Sequence, residues 1–234
     1  PLVVLMIVFQ RLYPEILLNG AIITIADLIL YISFQSRRLD LDSLTGVGNR
    51  KGFRNELSLR LAGRQRFQVI LLGLQQFSDI NRRFGHQLGD AFLYETARQL
   101  ERLFPRGRVF RFGNVEFALL LPYPDDDGAA RLQTIRDRFE KPLTLGTDQA
   151  VLTARLADLL CAGEHWTVGR LLEALEYSLD LARKGDGEPV RFQGQAAQML
   201  QRRKDLVSLM RQSLQERRFR VWYQPVWDTA AGAF

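Results

Sequence analysis

The chain has 234 residues, 47% hydrophobic and 25% charged, enough for one sizeable core with appendages and unlike a disordered or repeat composition. Its net charge of +6 raises nucleic acid or an anionic membrane surface as partners, but the excess is arginine spread along helices, so no nucleic-acid partner is assigned. One cysteine, Cys161, lies in an apolar run, which excludes an internal disulfide and places it in core packing.

The sequence opens at Pro1 rather than at a methionine and stops at Phe234 in mid-pattern, so it reads as a fragment. Leu2 to Phe9 is apolar but too short to span a bilayer. Ile16 to Phe34 is longer, and as a helix of about 28 Å it predicts a transmembrane segment. Tyr31 near one end and Arg37-Arg38 beyond it supply an interfacial aromatic and a positive-inside flank. These place the following domain in the cytoplasm, at the inner (cytoplasmic) membrane. Asn19 and Asp27 oppose this reading. A carboxylate near mid-bilayer costs about 2.5–3.5 kcal/mol, so Asp27 is expected to face a neighbouring helix rather than lipid. The alternative is a soluble signalling helix that pairs through its apolar face.

A polar connector leads to Asp42-Ser43-Leu44-Thr45-Gly46-Val47-Gly48-Asn49-Arg50, with Phe53 following. Gly52 to Leu61 has a helical apolar face of Phe53, Leu57 and Leu61. Phe67 to Leu74 is a nearly continuous apolar run of strand length, followed by a polar turn through Phe77, Asn81, Gly85-His86 and Gly89-Asp90. Gln87 to Leu103 reads as a helix. Val109 to Phe112 and Val115 to Leu121 read as strands joined by a two-residue Gly113-Asn114 turn, both of whose residues tolerate positive φ. Asp125-Asp126-Asp127 lacks the alternating geometry of a calcium loop and is expected to be a solvated helix start. Helices over Ala129 to Phe139 and Val168 to Lys184 flank a strand around Ala150 to Leu160. His165 and Trp166 sit in a connector, and Val190 to Phe192 is a short final strand. Apolar strands interleaved with amphipathic helices predict an α+β fold.

The spacing Phe77-x3-Asn81-x3-Gly85-His86-x2-Gly89-Asp90-x2-Leu93, with Arg111-Phe112-Gly113-Asn114-Val115-Glu116-Phe117 after it and the Asp42 signature before it, resembles the GGDEF domain. This is the diguanylate cyclase family, and the resemblance covers Leu39 to Phe192. It implies a cyclase-like palm, with a mostly antiparallel central sheet covered by helices, and a homodimer. The expected division is a membrane segment and connector over 1–38, the GGDEF domain over 39–194, and a further region over 195–234.

A cyclase of this family joins two GTP molecules, chemistry that needs divalent metal on carboxylates and a cation on the phosphates. The resemblance places the metal carboxylates where this sequence has Gly73 and Val115, and the phosphate lysine at Ser78. An arginine expected after the last helix falls on Gly187, with Arg183 in a neighbouring cationic position. The inhibitory Arg-x-x-Asp pair falls on Phe104 and Gly107. Glu116 remains at the fourth motif letter. No catalytic residue, metal ligand or cofactor is therefore assigned. Mg²⁺ or Mn²⁺ enters only under a rival reading, a divergent cyclase with displaced ligands, which a carboxylate approaching the hairpin from elsewhere would favour. Asn81 and Asp90 match the family's guanine-reading pair. Their other reading is as helix-cap and turn residues.

From Met199 the pattern changes to an amphipathic helix carrying Leu206, Leu209, Met210 and Leu214. An alternating strand, Phe219-Arg220-Val221-Trp222-Tyr223-Gln224-Pro225, follows and resembles the opening of an EAL domain, the cyclic di-GMP phosphodiesterase family. The expected function is thus a non-catalytic regulatory GGDEF domain in a membrane-attached GGDEF–EAL protein of cyclic di-GMP signalling, whose intact form is a phosphodiesterase. Its partners would be the membrane, its own EAL domain, a second copy and a weakly held guanine nucleotide.

Overall fold

The computed structural model describes residues 2–12, 23–31, 39–146, 148–163 and 166–220. The chain forms two compact units, Pro1–Arg191 and Phe192–Phe234.

The first unit is built on β2 (Phe67–Leu74), every residue of which is buried. A strand covered on both faces needs apolar side chains throughout, and this accounts for its nearly unbroken apolar run. It pairs antiparallel with β4 (Glu116–Pro122) on one side and β7 (Ala154–Cys161) on the other. With β1 (Gly48–Asn49), β3 (Arg108–Arg111) and β8 (Val190–Arg191), the sheet order is β1-β3-β4-β2-β7-β8. The inner pairings are antiparallel, but β1 with β3 and β7 with β8 are parallel, so the sheet is mixed rather than uniformly antiparallel. The cause is connectivity. α7 (Val168–Lys184) carries the chain from β7 back to β8, and a helical crossover returns a strand parallel.

One face of the sheet buries Ile70, Leu72, Phe117 and Leu119 under α5 (His86–Leu103) and α6 (Ala129–Phe139), which contribute Phe92, Leu100 and Ile135. On the other face α7 packs against β2 and β7 and meets α3 (Arg50–Ala62). Phe53 of α3 stacks on Phe110, with ring centroids 5.2 Å apart. The stretch after β2, read from sequence as a polar turn, is instead a helix, α4 (Phe77–Phe84). Phe77 and Ile80 are both buried, and their i, i+3 spacing gives the segment an apolar stripe that only a helix presents to the core. The strand expected from Ala150 begins at Ala154, because Asp148–Ala150 (β6) pairs with Leu143–Leu145 (β5) in a separate hairpin.

A polar knot lies inside the same unit. Asp158 and Gln68 are fully buried. Gln68 Nε2 donates to Asp158 Oδ2 at 3.2 Å, and Arg191 Nε donates to the same oxygen at 3.0 Å. Arg191 Nη2 also donates to the Asp127 carbonyl at 2.7 Å, and Arg131 Nη1 donates to Gln68 Oε1 at 2.9 Å. Gly128, at φ 73°, leaves room for this knot: a Cβ there would lie 2.7 Å from Gln68 Nε2. The carboxylates of Asp126 and Asp127 accept from the amides of Gly128 and Ala129 at the start of α6.

Leu2–Leu12 (α1) and residues 23–31 (α2) are helical. Most of the predicted span Ile16–Phe34 lies outside the described residues, and among those described no helix is long and apolar enough to cross a membrane. The second unit contains α8 (Gln195–Gln215), on which Leu206, Leu209, Met210 and Leu214 are exposed. Phe219 and Arg220 have no regular structure, and the rest of the predicted strand to Pro225 lies outside the described residues, as does His165.

Candidate functional site

The Asp42 signature proves to be a latch. Asp42 Oδ1 accepts from the Thr45 amide at 2.9 Å, from Thr45 Oγ1 at 2.7 Å and from Arg111 Nη1 at 3.1 Å. Arg111 Nη2 in turn donates to the Asn114 carbonyl at 2.9 Å, so this loop holds the tip of the β3–β4 hairpin. Asn49 caps α3 through the Gly52 amide and also donates to the carbonyls of Leu39 and Leu41. Burial pushes the Asp42 carboxyl up, but the Thr45 and Arg111 hydrogen bonds outweigh it and hold its pKa below the ordinary 3.8. A depressed folded-state pKa gives stability that is present above about pH 4 and is lost as pH falls through the folded value. Asp42→Asn is therefore expected to flatten the acid limb of a stability–pH curve, read by urea midpoints between pH 7 and pH 3. An unchanged limb would remove Asp42 from the account.

The hairpin tip differs from the expected two-residue turn. The amides of Phe112 and Gly113 both donate to the Glu116 carbonyl, at 2.8 and 3.2 Å, and Val115 lies within the turn. Neither Gly113 nor Asn114 has positive φ, because the extra residue relieves the tight geometry that a two-residue hairpin imposes. A Cβ at Gly113 would lie 2.6 Å from Glu116 Oε2, so a side chain there would displace that carboxylate. The Val115 carbonyl accepts from the Leu74 amide at 3.0 Å, which ties the turn to the end of β2.

At that end, Gly73 sits directly opposite Glu116 in the β2–β4 register. The volume above Gly73 is taken by an arginine from α7: a Cβ at 73 would lie 2.8 Å from Arg183 Nη2 and 3.3 Å from Leu179 Cδ2. Arg183 Nη2 donates to Glu116 Oε1 at 2.6 Å, and Arg183 Nη1 lies 3.7 Å from Asp180 Oδ1. Glu116, Glu176, Asp180 and Arg183 line a cavity of about 260 Å³. Glu176 and Asp180 are carboxylates that reach the site from elsewhere, as the rival reading asks. Each is engaged by an arginine, Glu176 by Arg50 at 2.5 Å and Asp180 by Arg183. Among the described residues no three His, Cys, Asp or Glu side chains group so as to hold a metal ion. A hard divalent cation requires a shell of oxygen ligands, and a site already carrying a guanidinium against its remaining carboxylate does not fit one.

Two further positions are those to which the resemblance assigns the phosphate cations. Ser78 is exposed on α4. Gly187, at φ 103°, has the Arg155 guanidinium in the space that its own side chain would fill.

Asn81 meets the residue that precedes Asp90. Asn81 lies on α4, half-buried, and its Oδ1 sits against the backbone of Gly89, where any Cβ would overlap it. Asp90 follows Gly89 on α5 and is exposed. Neither serves as a cap: α4 is bounded by Gln76 and Gly85, and α5 begins at Gly85 with no side-chain cap. Among the described residues neither side chain has a hydrogen-bond or ion-pair partner.

Sequence reading gave no role to Arg111 as the hairpin's clamp, and although it set Arg183 in a neighbouring cationic position it did not place that side chain over Gly73. The signal for the second was Gly73 itself, a glycine in an apolar strand, which marks close approach by another group.

The probable diguanylate cyclase DgcF of Escherichia coli K12 is 34% identical over 123 residues, covering 51% of this chain and 39% of that protein. The bifunctional diguanylate cyclase/cyclic di-GMP phosphodiesterase MucR of Pseudomonas aeruginosa is 27% identical over 194 residues, covering 79% of this chain and 28% of that protein. The chain thus spans less than two fifths of the length of either relative. Among solved structures, the GGDEF domain of TpbB (YfiN) from P. aeruginosa superposes with a TM-score of 0.60 at 26% identity, covering 69% of this chain and 99% of that one. The GGDEF domain of FimX from P. aeruginosa, at 20% identity and TM-score 0.59, shares the fold. The sequence matches the family described as "Diguanylate cyclase, GGDEF domain" over residues 39–185, and the chain belongs to that family.

Proposed function

We propose that this GGDEF domain is non-catalytic and regulatory, and that it serves cyclic di-GMP signalling by binding a guanine nucleotide weakly rather than by making the second messenger. The observation that carries this reading is the replacement at the metal end: Gly73 and Val115 where the family resemblance calls for carboxylates, with the Arg183 guanidinium against Glu116. Asn81 and Asp90, without partners among the described residues, supply the amide and carboxylate that a guanine edge requires.

In the same proposal the domain belongs to a longer, membrane-attached protein. The apolar stretch Ile16–Phe34 and Arg37-Arg38 support attachment with the domain on the cytoplasmic side. The resemblance of Phe219–Pro225 to the start of an EAL domain, together with similarity to a relative named as bifunctional, supports an EAL partner and a phosphodiesterase activity for the whole protein. Homodimerisation rests on the family resemblance.

Calorimetric titration with GTP, GDP and ATP, with and without Mg²⁺, tests the nucleotide reading. Weak binding is expected, with guanine preferred over adenine and little response to Mg²⁺ or to phosphate number. Asp90→Ala should erase the guanine preference. Tight, Mg²⁺-dependent binding selective for GTP would show a rebuilt phosphate half and overturn the assignment.

A further inference from the structure

The helix α8 carries an open apolar face. Ala196 and Leu200 in its first turns are buried, but Met199, Leu206, Val207, Met210 and Leu214 recur at helical spacing along one side and are all exposed. The stripe from Met199 to Leu214 is about 22 Å long. A continuous exposed stripe of apolar side chains marks an interaction surface, where single ones would not. The charges of this segment are ordered about the stripe. Seven basic and two acidic residues lie between Gln195 and Arg220, which gives the segment +5 of the chain's +6. At 3.6 residues per turn, Arg202 on one side and Lys204 and Arg211 on the other lie about 90–110° from the centre of the stripe, whereas Asp205 and Glu216 lie about 130–150° away. Bases thus border the apolar face, and both acids sit at its back. The acids are engaged there, Asp205 by Gln201 and Glu216 by Gln212 and Arg218. Arg203 is the one base on the helix that falls within the stripe, a position that a long aliphatic stem tolerates on apolar surface.

We propose that this face of α8 docks on the surface of an anionic phospholipid bilayer. The helix lies in the interfacial plane, with the stripe from Met199 to Leu214 at the acyl boundary and Arg202, Lys204 and Arg211 among the headgroup phosphates. Charge decides between the possible covers. A second copy of the helix would bring bases against bases, because both borders of the stripe are basic, and like charges set together across an interface oppose association. A protein domain laid over the stripe would be served by neutral borders and leaves the gathering of positive charge there without a purpose. A nucleic acid would use the charge and leave the stripe uncovered. An anionic lipid surface uses both. The inference is independent of the nucleotide reading and adds a second, reversible membrane contact to the attachment proposed at Ile16–Phe34.

The experiment places a fluorophore on Met210→Cys of the whole chain, whose own Cys161 is buried, and mixes the protein with vesicles of phosphatidylcholine alone or of phosphatidylcholine with phosphatidylglycerol. The label is expected to be shielded from an aqueous quencher by the phosphatidylglycerol vesicles, open with phosphatidylcholine alone, and released again by high salt. Arg202→Glu, Lys204→Glu and Arg211→Glu together should lower the ratio of shielded to open label by at least about 100-fold, since each base near an anionic surface contributes about fivefold. Asp205→Asn, on the back of the helix, should not lower it. Shielding that is equal in the two vesicles and indifferent to salt would show the stripe covered by protein, whether a second copy or residues 221–234, and would overturn the proposal. A label open in both vesicles would overturn it too. Attachment through Ile16–Phe34 is read separately by alkaline carbonate extraction, so that its failure and the failure of lipid docking by α8 are told apart.

Discussion

Incubated with GTP and Mg²⁺ or Mn²⁺, the protein is expected to yield no cyclic di-GMP above a protein-free control. Phosphoryl transfer leaves the protein little covalent chemistry to do; the rate comes from positioning and from charge placed against the transition state. Losing one preorganised electrostatic group costs about 10²–10³ in rate. The family resemblance places two carboxylates and a lysine at Gly73, Val115 and Ser78, so on the proposed reading a loss of at least about 10⁴ is the expectation. Retained base recognition does not compensate, because it holds ground state and transition state alike. Gly73→Asp with Val115→Asp should not by itself restore turnover. A side chain at 73 meets Arg183 Nη2 at 2.8 Å, so the new carboxylate would pair with the arginine before it met a metal. Product formed in proportion to protein would instead establish the divergent cyclase, with Glu176 and Asp180 as the displaced ligands.

The largest stability effect is expected from Asp158→Ala, a loss of about 3–5 kcal/mol. The carboxylate is fully buried, and its partner Arg191 is only 20% exposed at 2.9 Å. Deleting one member of such a pair strands the other charge away from water, and the same deletion removes the acceptor for Gln68. The knot joins β2, β7 and β8 to the loop before α6, so its loss loosens the sheet at the end away from Gly73. Urea unfolding should show a lower midpoint with an unchanged slope. Asp158→Asn keeps an acceptor and should lose less. A loss below about 1 kcal/mol in Asp158→Ala would mean that water reaches Arg191 and satisfies it there.

Period and punctuation alone determined most of the elements. The eight-residue apolar run Phe67 to Leu74 has the length of a buried strand, and Leu171, Leu175 and Leu179 recur at a spacing that a helix presents to one side. Motif order was enough to point to the family, because Asp42, Asn81, Gly89-Asp90 and Glu116 keep their separations along the chain. Segments whose local signal is short were misread: α4, whose apolar stripe is only Phe77 and Ile80, passed for a turn, and Gly113-Asn114 passed for a tight hairpin. Only the tertiary structure decided what occupies the space above Gly73. The sequence marked Arg183 as a neighbouring cation but did not join it to Gly73 or Glu116. Cross-strand register sets Gly73 opposite Glu116, and the packing of α7 on β2 delivers the Arg183 guanidinium to both. That contact joins residues distant in the chain, and a long-range ion pair leaves no local pattern from which to read it.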